Sequence, residues 1–344
     1  MKNKPAEFLE LLESFLYVYL PCSVGVSPNT IKSYKDAFRL LLKYMYEQKH
    51  INPDKIAFTD LDYKTMLNFL SWLETERGCS IATRNQRQSA ISSFAEYAQN
   101  RSFDAATIFR RDTVKLPSKK CPNRLRTFFT LEETVLFLNL PKGNSTTGLR
   151  NKTLLSVMYA SGARAQEMCD LTVFDCRFNS DAASVILTGK GGKTRKVGIP
   201  KGCAALLKQY INKRGLTGKN GQHVFSSQTH EHMTVSCIEE IYKKYVSSAK
   251  EAYPQLFRGK CYTPHSMRHS TATHMLEAGI PIVVIKNFLG HASLQSTQIY
   301  AVVTQSTLDK HIKKWNEKWG HEPNCIEADA PKSCSAIPGF LKTK

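Results

Sequence analysis

One histidine and one tyrosine lie close together near the end of the sequence. The stretch "NFLGHASLQSTQIYA" (287–301) contains His291 and, nine residues later, Tyr300. A neutral phenol has a pKa near 10 and is a poor nucleophile, so a reactive tyrosine needs neighbouring groups that stabilise charge. Taken alone, the pair is as consistent with chance in a globular domain as with chemistry. Its interpretation depends on the rest of the chain.

An arginine and a lysine lie where local structure would present a positive charge to an anion. Arg164 follows "YASGA" at the start of a predicted helix, and a helix N-terminus favours anions, so the position predicts a phosphate pocket. The alternative is a surface arginine paired with Glu167. Lys190 lies between Gly189 and Gly191 at the tip of a predicted hairpin, where its ammonium can reach a leaving oxygen. The alternative there is a solvated basic turn.

The segment 263–280, "TPHSMRHSTATHMLEAGI", predicts another helix start. Thr263 is the expected N-cap and Pro264 the first helical residue. His265 and Arg268 are then three residues apart on one face, so an imidazole and a guanidinium are expected to point towards the same phosphate. Two further histidines are interpreted as core or surface residues: His269 and His274.

The charge of the chain indicates the class of partner. The formal net charge is +19 over 344 residues and the pI is about 9.5, which favours a nucleic acid or an anionic membrane surface. No apolar run approaches the roughly 20 residues of a membrane span. The N-terminal "MKNKPAEFLELLESF" has acidic residues among its apolar ones and no small-residue cleavage site, unlike a signal peptide. A soluble, cytoplasmic nucleic-acid binder is expected, without membrane association.

The cysteines and histidines do not predict a metal site. None of the ten cysteines forms a Cys-x-x-Cys pair, and the closest two are Cys169 and Cys176. Ligand pairs of structural zinc are normally two to four residues apart. The "HEH" at 230–232 lies in a polar loop and is interpreted as solvated. Reduced thiols, no metal and no cofactor are therefore expected.

The first third of the chain predicts three amphipathic helices: 29–48, 59–78 and 80–100. The expected N-caps are Asn29 or Thr30 for the first and Thr59 or Asp60 for the second. The third helix is predicted to turn Ile91, Phe94 and Tyr97 inward. Its polar side is predicted to hold Arg84, Asn85, Arg87 and Gln88.

The middle of the sequence predicts a domain boundary. The segment 110–130 has two prolines, seven basic residues and little periodicity, so it is expected to be an extended linker that can lie along phosphates, or merely a soluble one. The second domain is expected to be mostly helical. It is interrupted by "ASVILTGKGGKTRKVGIP" (183–200), in which two β-branched runs flank a glycine-rich turn and predict a hairpin. The final 25 residues show no clear face.

Six residues resemble, in type and in order along the chain, the motif of the tyrosine recombinase (phage integrase) family. That motif is Arg, Lys, His-x-x-Arg, His or Trp, and then Tyr. They are Arg164 in "SGARAQEMCDL", Lys190 in "TGKGGKTRKVGIP", His265 and Arg268 in "PHSMRH", His291 in "LGHAS" and Tyr300 in "TQIYA". The intervals also resemble those of the family, and the match covers about 130–315. The helical first third is similar, more weakly, to the family's core-binding domain. In the first box, Gly-Ala precedes Arg164 where a bulky apolar residue is frequent, and Gln166 replaces a frequent serine; neither alters a reactive group.

The resemblance implies a reaction without a metal. Tyr300 would attack a phosphodiester and form a 3′-phosphotyrosyl bond, while Arg164 and Arg268 stabilise the added charge. Lys190 would protonate the departing 5′-oxygen. The other implied roles are proton acceptance from the phenol by His265, a hydrogen bond to the phosphate from His291 and orientation of the pocket by Glu167.

The predicted fold is mainly α with a small antiparallel β-hairpin or sheet, arranged as a two-domain DNA clamp. The predicted parts are a helical core-binding domain (1–118), a basic linker (119–126), a mixed α/β catalytic domain (127–319) and a C-terminal tail (320–344). The residues expected to contact DNA are Lys32, Lys35, Thr83, Arg84, Arg87, Lys119, Lys120, Arg124, Arg126, Lys193 and Arg195.

The expected protein is a site-specific recombinase that acts as a homotetramer on double-stranded DNA, with accessory DNA-binding proteins as further candidate partners. A type IB topoisomerase would use similar residues to relax DNA. A DNA-binding regulator without catalysis would explain the charge but not Tyr300 and its five companions.

Overall fold

The structure is a computed structural model that describes residues 5–121, 127–179, 183–227, 230–259 and 261–290. The chain divides into two compact units, Met1–Arg124 and Leu125–Lys344, called here the N-terminal and C-terminal units. Five features of the sequence analysis lie outside the described residues: Arg124, Arg126, His291, Tyr300 and the tail 320–344. The segment 302–319, whose sequence "VVTQSTLDKHIKKWNEKW" has apolar residues mostly at helical spacing, also lies outside them.

The N-terminal unit is helical. Helix α1 continues directly into a π-helical segment, Phe15–Val24, and two 3-10 turns, Pro53–Lys55 and Phe58–Asp60, precede α3. The α-helices are α1 (Pro5–Ser14), α2 (Pro28–Lys49), α3 (Tyr63–Thr75), α4 (Ile81–Gln99) and α5 (Phe103–Val114).

The helix starts of this unit differ from the predicted ones by a few residues. Ser27 caps α2, because Pro28 takes the first helical position and has no N–H to be satisfied. Asp62 caps α3 and accepts a hydrogen bond from the Thr65 N–H at 2.8 Å. The predicted caps of both helices were therefore wrong. Asp60 instead accepts from the Ala57 N–H at 2.8 Å and closes the preceding turn.

Aromatic rings fill the core of the N-terminal unit. Phe94 contacts the rings of Phe8, Phe15 and Phe38 at centroid distances of 5.2–5.6 Å. The predicted inward residues of α4 are all buried: Ile91, Phe94 and Tyr97. Helix α5 extends to Val114 and Leu116 is buried beside it, so the prediction of a linker from residue 110 was wrong. The apolar period of "FDAATIFRRDTV" continues through its two arginines, and the helix continues with it.

The C-terminal unit combines helices with one small sheet. Its helices are α6 (Leu131–Asn139), α7 (Thr146–Ser161), α8 (Ala165–Cys169), α9 (Lys201–Lys213), α10 (Val235–Ala252), α11 (Pro264–Glu277) and α12 (Ile282–Leu289). Its strands are β1 (Cys176–Phe178), β2 (Ala183–Thr188) and β3 (Thr194–Ile199). The fold class is confirmed: mainly helical, with a small antiparallel sheet.

The sheet has the order β1-β2-β3 and is antiparallel throughout. The predicted hairpin is confirmed as β2 and β3, with Val185 opposite Val197 and Thr188 opposite Thr194. Strand β1 was not predicted, because three residues are too few to show an alternating pattern. The inner face of the hairpin packs into the main core, which surrounds α7.

A glycine turn between α7 and α8 brings three elements together. Gly162 ends α7 with φ +57° and ψ +27°, a left-handed conformation that glycine adopts without a Cβ penalty. A Cβ at this position would lie 2.7 Å from Leu289 Cδ2, at the end of α12. The turn therefore lets α12 pack directly against the backbone that leads into Arg164.

Candidate active site

Arg164 is the N-cap of α8. Its backbone is extended, and its N–H donates to Glu167 Oε2 at 2.8 Å. Its side chain donates from Nη1 to Glu167 Oε1 at 2.8 Å and is 40% exposed. The arginine therefore lies at a helix start, as predicted, and is paired with Glu167, as the alternative interpretation expected. The pairing fixes the guanidinium while leaving part of it accessible.

Glu167 lies at the centre of an ion cluster. Its side chain is only 2% exposed, and Arg195 donates Nη1 to Oε1 at 2.8 Å and Nη2 to Oε2 at 2.7 Å. Burial raises the pKa of the Glu167 carboxyl, but the hydrogen bonds and positive charge of Arg195 and Arg164 outweigh burial, and the pKa lies below its ordinary value. The carboxylate therefore stays ionised and holds two guanidinium groups in fixed positions.

Arg195 is not the exposed cation that the sequence predicted. Its side chain is 12% exposed, and besides its two bonds to Glu167 it donates from Nε to the Phe288 carbonyl at 3.0 Å. The prediction of a DNA contact treated the basic run after the hairpin tip as one surface. Side chains of a strand alternate between faces, and β3 turns Arg195 to the same side as the buried Val197 and Ile199. Alternation in "TRKVGI" was the signal that could have identified it.

Lys190 begins the turn that joins β2 to β3. The turn is a 3-10 segment, Lys190–Gly192, closed by the Gly189 N–H donating to the Lys193 carbonyl at 2.8 Å. Gly191 and Gly192 have φ +76° and +72°, values that side chains other than glycine rarely adopt. A Cβ at Gly189 would lie 3.3 Å from Glu167 Oε1 and 3.7 Å from Arg164 Nη1. The residue before Lys190 thus packs on the Glu167 cluster.

Helix α11 begins as the sequence predicts, with Thr263 as N-cap and Pro264 at the first position. His265 is exposed, whereas Arg268 is only 1% exposed. Arg268 donates from Nη1 to the Gly162 carbonyl and from Nη2 to the Leu289 carbonyl, both at 2.6 Å. The two side chains therefore do not share an exposed face: the imidazole lies at the surface and the guanidinium is buried.

The predicted residues converge through their neighbours in the chain. Arg268 binds the carbonyl of Gly162, two residues before Arg164, and that of Leu289, two residues before His291. Of the two remaining histidines of α11, His269 is buried with its ring centroid 4.5 Å from that of His265, and His274 is half-buried. The structure therefore brings together the elements that carry Arg164, Lys190 and Arg268.

Arg84 of the N-terminal unit is a correction. Its side chain is 1% exposed, and Nη1 donates to Asn85 Oδ1, Gln88 Oε1 and the Pro117 carbonyl at 2.7–2.9 Å. The predicted DNA contact is therefore wrong, as is the polar-side placement of Gln88, which is buried and donates to the Leu116 carbonyl at 2.8 Å. Both side chains face the segment after α5 and donate to backbone carbonyls there, which must be satisfied because they are not paired within a helix or sheet.

The other predicted DNA contacts of the N-terminal unit vary in exposure. Lys32 and Lys120 are exposed, and exposed Lys119 lies 2.8 Å from Glu74. Lys35 Nζ lies 3.8 Å from the centroid of the Tyr17 ring. Thr83 is half-buried at the start of α4, and half-buried Arg87 donates from Nη1 to Cys79 Sγ at 2.6 Å. In the C-terminal unit, Lys193 is exposed.

The described residues contain neither a metal-binding cluster nor a helix that could span a membrane. No group of three or more His, Cys, Asp or Glu side chains in this part of the chain is arranged to hold a metal ion. Within the same residues, no helix is both long and apolar enough to cross a lipid bilayer.

Comparisons with known proteins agree on one family. A sequence model described as "Phage integrase family" matches residues 127–307, and another described as "Phage integrase SAM-like domain" matches residues 7–110. The putative integrase/recombinase y4rC of Sinorhizobium fredii is 32% identical over 91% of this chain and 92% of its own. The tyrosine recombinase XerD of Oceanobacillus iheyensis is 30% identical over 89% of this chain and 98% of its own.

Solved structures share the fold. The XerH site-specific recombinase bound to its difH substrate has a TM-score of 0.68 at 19% identity, over 92% of this chain and 97% of that one. The Tn1549 transposon integrase bound to transposon right end DNA has a TM-score of 0.66 at 17% identity, over 87% and 98%. Because one family model spans more than half of the chain and a relative above 30% identity aligns along most of it, the chain belongs to the phage integrase family, the tyrosine recombinases that cut and rejoin DNA.

Proposed function

We propose that this chain recombines double-stranded DNA at specific sites, with Tyr300 as the nucleophile that forms a 3′-phosphotyrosyl bond. The observation that carries the proposal is the cluster around Glu167, in which a buried carboxylate holds the partly exposed Arg164 next to the loop of Lys190. A fixed guanidinium at a helix start stabilises the charge that develops on a phosphate under attack.

The proposed chemistry assigns one step to each group. The phenolic oxygen of Tyr300 attacks phosphorus, the bond to the 5′-oxygen breaks, and the ammonium of Lys190 gives that oxygen a proton. His265, exposed at the start of α11, accepts the phenolic proton, and His291 donates a hydrogen bond to the phosphate. Arg268 also binds the phosphate; since it is 1% exposed, this contact requires a rearrangement around it when DNA binds.

The test begins with a binding site selected by the full chain from a randomised duplex library. A duplex of that sequence with a nick beside the cleavage position traps the covalent product. We expect the wild-type chain to form a protein–DNA adduct, and Tyr300→Phe to bind equally well but form none, because only the hydroxyl is lost. An adduct with Tyr300→Phe would reject this nucleophile, and no adduct with the wild type would favour a DNA-binding regulator. Supercoil relaxation without exchange between two sites would favour a topoisomerase.

The proposed domains are a core-binding domain (1–118), a linker (119–126), a catalytic domain (127–319) and a tail (320–344). Both domains are proposed to contact one duplex, with Lys32, Lys120 and Lys193 among the exposed cations available for phosphates. Removal of residues 1–118 should weaken binding and flatten its salt dependence, because fewer counterions are released. An unchanged salt slope would contradict a two-domain clamp.

The proposed working assembly is a homotetramer on two synapsed duplexes, formed in the cytoplasm on nucleoid DNA and open to accessory DNA-binding proteins. Exchange of two duplexes requires four strand cleavages, and each chain supplies one nucleophile. The apolar residues of 302–319 are proposed to dock on a neighbouring subunit. A chain that ends at residue 303 should then bind one half-site but lose cooperative pairing, whereas full recombination by that chain would contradict docking in trans.

A further inference from the structure

Arg195 joins three segments that carry proposed catalytic residues. It belongs to β3, whose turn begins at Lys190, and its two terminal nitrogens bind both oxygens of Glu167, the partner of Arg164. Its Nε donates to the Phe288 carbonyl at 3.0 Å, near the end of α12. A Cβ at Gly290, the residue before His291, would lie 3.1 Å from Arg195 Cδ. One side chain thus holds the hairpin, the start of α8 and the end of α12 together.

The geometry favours a fixed role over a DNA contact. Parallel N–H bonds from a guanidinium to both oxygens of a carboxylate set the angle as well as the distance between the groups. All three nitrogens of Arg195 donate to atoms of this unit, and the side chain is 12% exposed. Lys193, on the same turn, is exposed. Arg195 therefore directs its donors to groups inside the protein, whereas its basic neighbour Lys193 is exposed to solvent.

We propose that Arg195 is a positioning residue for strand cleavage, which sets the Lys190 turn against Arg164 and so places the proton donor at the 5′-oxygen. This inference rests on the proposed function, in which Lys190 protonates the leaving group. The base of the turn already touches the cluster, since a Cβ at Gly189 would lie 3.3 Å from Glu167 Oε1. Without Arg195, β3 loses its ionic link to Glu167 and the turn can shift away.

The leaving atom provides a test of this role. In cleavage of a normal duplex, the Tyr300 oxygen–phosphorus bond forms, the phosphorus–5′-oxygen bond breaks, and the 5′-oxygen gains a proton. An alkoxide is a very poor leaving group, and general acids contribute about 10²–10⁴-fold to such steps. A thiol has a pKa near 8.5, so a 5′-sulfur leaves as a thiolate without a proton. A duplex with sulfur in place of the bridging 5′-oxygen therefore bypasses the acid.

The experiment measures single-turnover adduct formation by the full chain on the selected nicked duplex, in its oxygen and 5′-sulfur forms. We expect Arg195→Gln to slow cleavage of the oxygen duplex by about 10²-fold, as expected for a displaced catalytic group. The sulfur duplex should restore most of this loss. Lys190→Ala should show the same pattern, whereas Arg164→Gln should be slow on both duplexes because it removes stabilisation of the phosphate itself.

Matched variants separate positioning from loss of charge. Arg177→Gln removes an exposed arginine of β1 in the same sheet, whose guanidinium lies over the Phe174 ring, and should cleave like the wild type. A plot of log binding constant against log salt has a negative slope. Lys193→Gln should make this slope shallower by about 0.9, the value for one lost phosphate contact. Arg195→Gln should leave that slope unchanged. If the slope of Arg195→Gln becomes as shallow as that of Lys193→Gln, Arg195 contacts DNA and the proposal is overturned.

Other outcomes are equally decisive. Wild-type cleavage of the oxygen duplex by Arg195→Gln would overturn the positioning role, as would a loss that persists on sulfur while Lys190→Ala is restored. Failure of Lys190→Ala to be restored would instead reject Lys190 as the proton donor of the proposed function, and with it the route by which Arg195 is proposed to act. If Arg195→Gln does not fold, Arg195→Lys replaces it: a lysine keeps the charge but cannot form the two parallel bonds, so a smaller loss with the same restoration is expected.

Discussion

The two units bury arginines in different surroundings. In the N-terminal unit, Arg84 gives its hydrogen bonds to neutral oxygens of Asn85, Gln88 and Pro117, and its nearest carboxylate, Glu74, lies 3.6 Å from its Nε. In the C-terminal unit, the ionised Glu167 lies between two guanidiniums, and one of them, on Arg164, keeps 40% of its side chain exposed. The guanidinium of the first cluster is enclosed, whereas the second cluster presents a guanidinium to solvent.

This difference separates a structural cluster from a candidate site. The Arg84 cluster joins α4 to the segment that follows α5, and its guanidinium is enclosed; the exposed cation at its edge, Lys119, is paired with Glu74. The Glu167 cluster uses a buried negative charge to hold an accessible positive one, which is the arrangement that a preorganised phosphate site needs. An arginine near a helix start therefore indicates little by itself. The exposure of the guanidinium and the identity of its partner decide between the two roles.

The largest expected difference between the two clusters is in the rate of DNA cleavage after each arginine is replaced. Arg164→Gln should lower the single-turnover rate of adduct formation by about 10²–10³-fold, the effect of removing one charge-stabilising donor from a transition state. Its melting temperature should stay close to that of the wild type because the side chain is partly exposed. Arg84→Met, assayed at a temperature where it is folded, should cleave at the wild-type rate.

Single-turnover rates and thermal melts of both variants on the selected nicked duplex would check these expectations. Arg177→Gln, an exposed arginine on β1, serves as the control for loss of charge from the C-terminal unit. A wild-type rate for Arg164→Gln would place the phosphate elsewhere. A large rate loss in folded Arg84→Met would remove the distinction between the two clusters.

The free energy of unfolding should show the reverse order, with a larger loss for Arg84 than for Arg164. Arg84→Met strands the acceptors that Arg84 binds, among them the Pro117 carbonyl, and should lower the free energy of unfolding by about 3 kcal/mol, within the range for buried hydrogen bonds to a charged group. Urea unfolding of the full chain, followed by the signal of the N-terminal unit, measures the loss. Arg39→Met is the matched control: Arg39 is 76% exposed beside Asp36, and such surface pairs contribute about 0–1 kcal/mol. Equal losses in the two variants would show that burial of Arg84 contributes nothing.

Two glycines extend the comparison to the backbone. Gly25 and Gly162 end helices in the two units with φ +68° and +57°, so alanine should cost each about 1–2 kcal/mol for the left-handed conformation. A Cβ at Gly25 would meet nothing within 4 Å, whereas one at Gly162 would lie 2.7 Å from Leu289 Cδ2. Gly162→Ala should therefore cost about 1–3 kcal/mol more, as overpacking does.

Urea unfolding of the two alanine variants would measure this difference, and adduct formation should fall only in Gly162→Ala, because α12 is displaced from the Arg164 turn. Equal losses of stability would mean that α12 gives way freely and that Gly162 is needed only for its conformation.

Most of the fold followed from local patterns in the sequence. Strong 3.6-residue periodicity predicted α2, α3 and α4, the stretch "YASGA" predicted the helix start at Arg164, and the glycine-rich turn predicted the hairpin. The predicted caps of α2 and α3 were wrong, because Ser27 and Asp62 compete with nearby residues of the same chemistry. Strand β1 exists through its pairing with β2, which a three-residue segment cannot indicate alone.

The candidate site was only partly predictable for a related reason. Order and spacing singled out Arg164, Lys190 and Arg268, but spacing does not indicate which side chains are exposed. Arg84 was assigned to DNA because it lies on a polar stripe, yet tertiary contacts with residues 116–119 bury that part of the stripe. Arg195 was assigned to DNA because it follows Lys193, although strand alternation turns it inward. Sequence gives the type of residue, and packing decides its partner.

The smallest expected effect concerns pH, and it should be confined to one unit. Burial lowers the pKa of His274, whose Nδ1 lies 3.0 Å from Tyr159 Oη on α7. Between its ordinary pKa of 6.5 and the lower folded value, the unfolded chain binds a proton that the folded chain does not. The stability of the C-terminal unit should therefore be complete above about pH 6.5 and fall as the pH drops through that interval, and His274→Gln should reduce this slope. The N-terminal unit has one histidine, the exposed His50, and serves as the internal reference. Hydrogen exchange at about pH 7.5 and pH 5.5, corrected for intrinsic rates, would report the stability of each unit separately. An equal loss of stability in both units would show that this histidine does not link α11 to α7 in a pH-dependent way. An unchanged pH dependence of stability in His274→Gln would show the same.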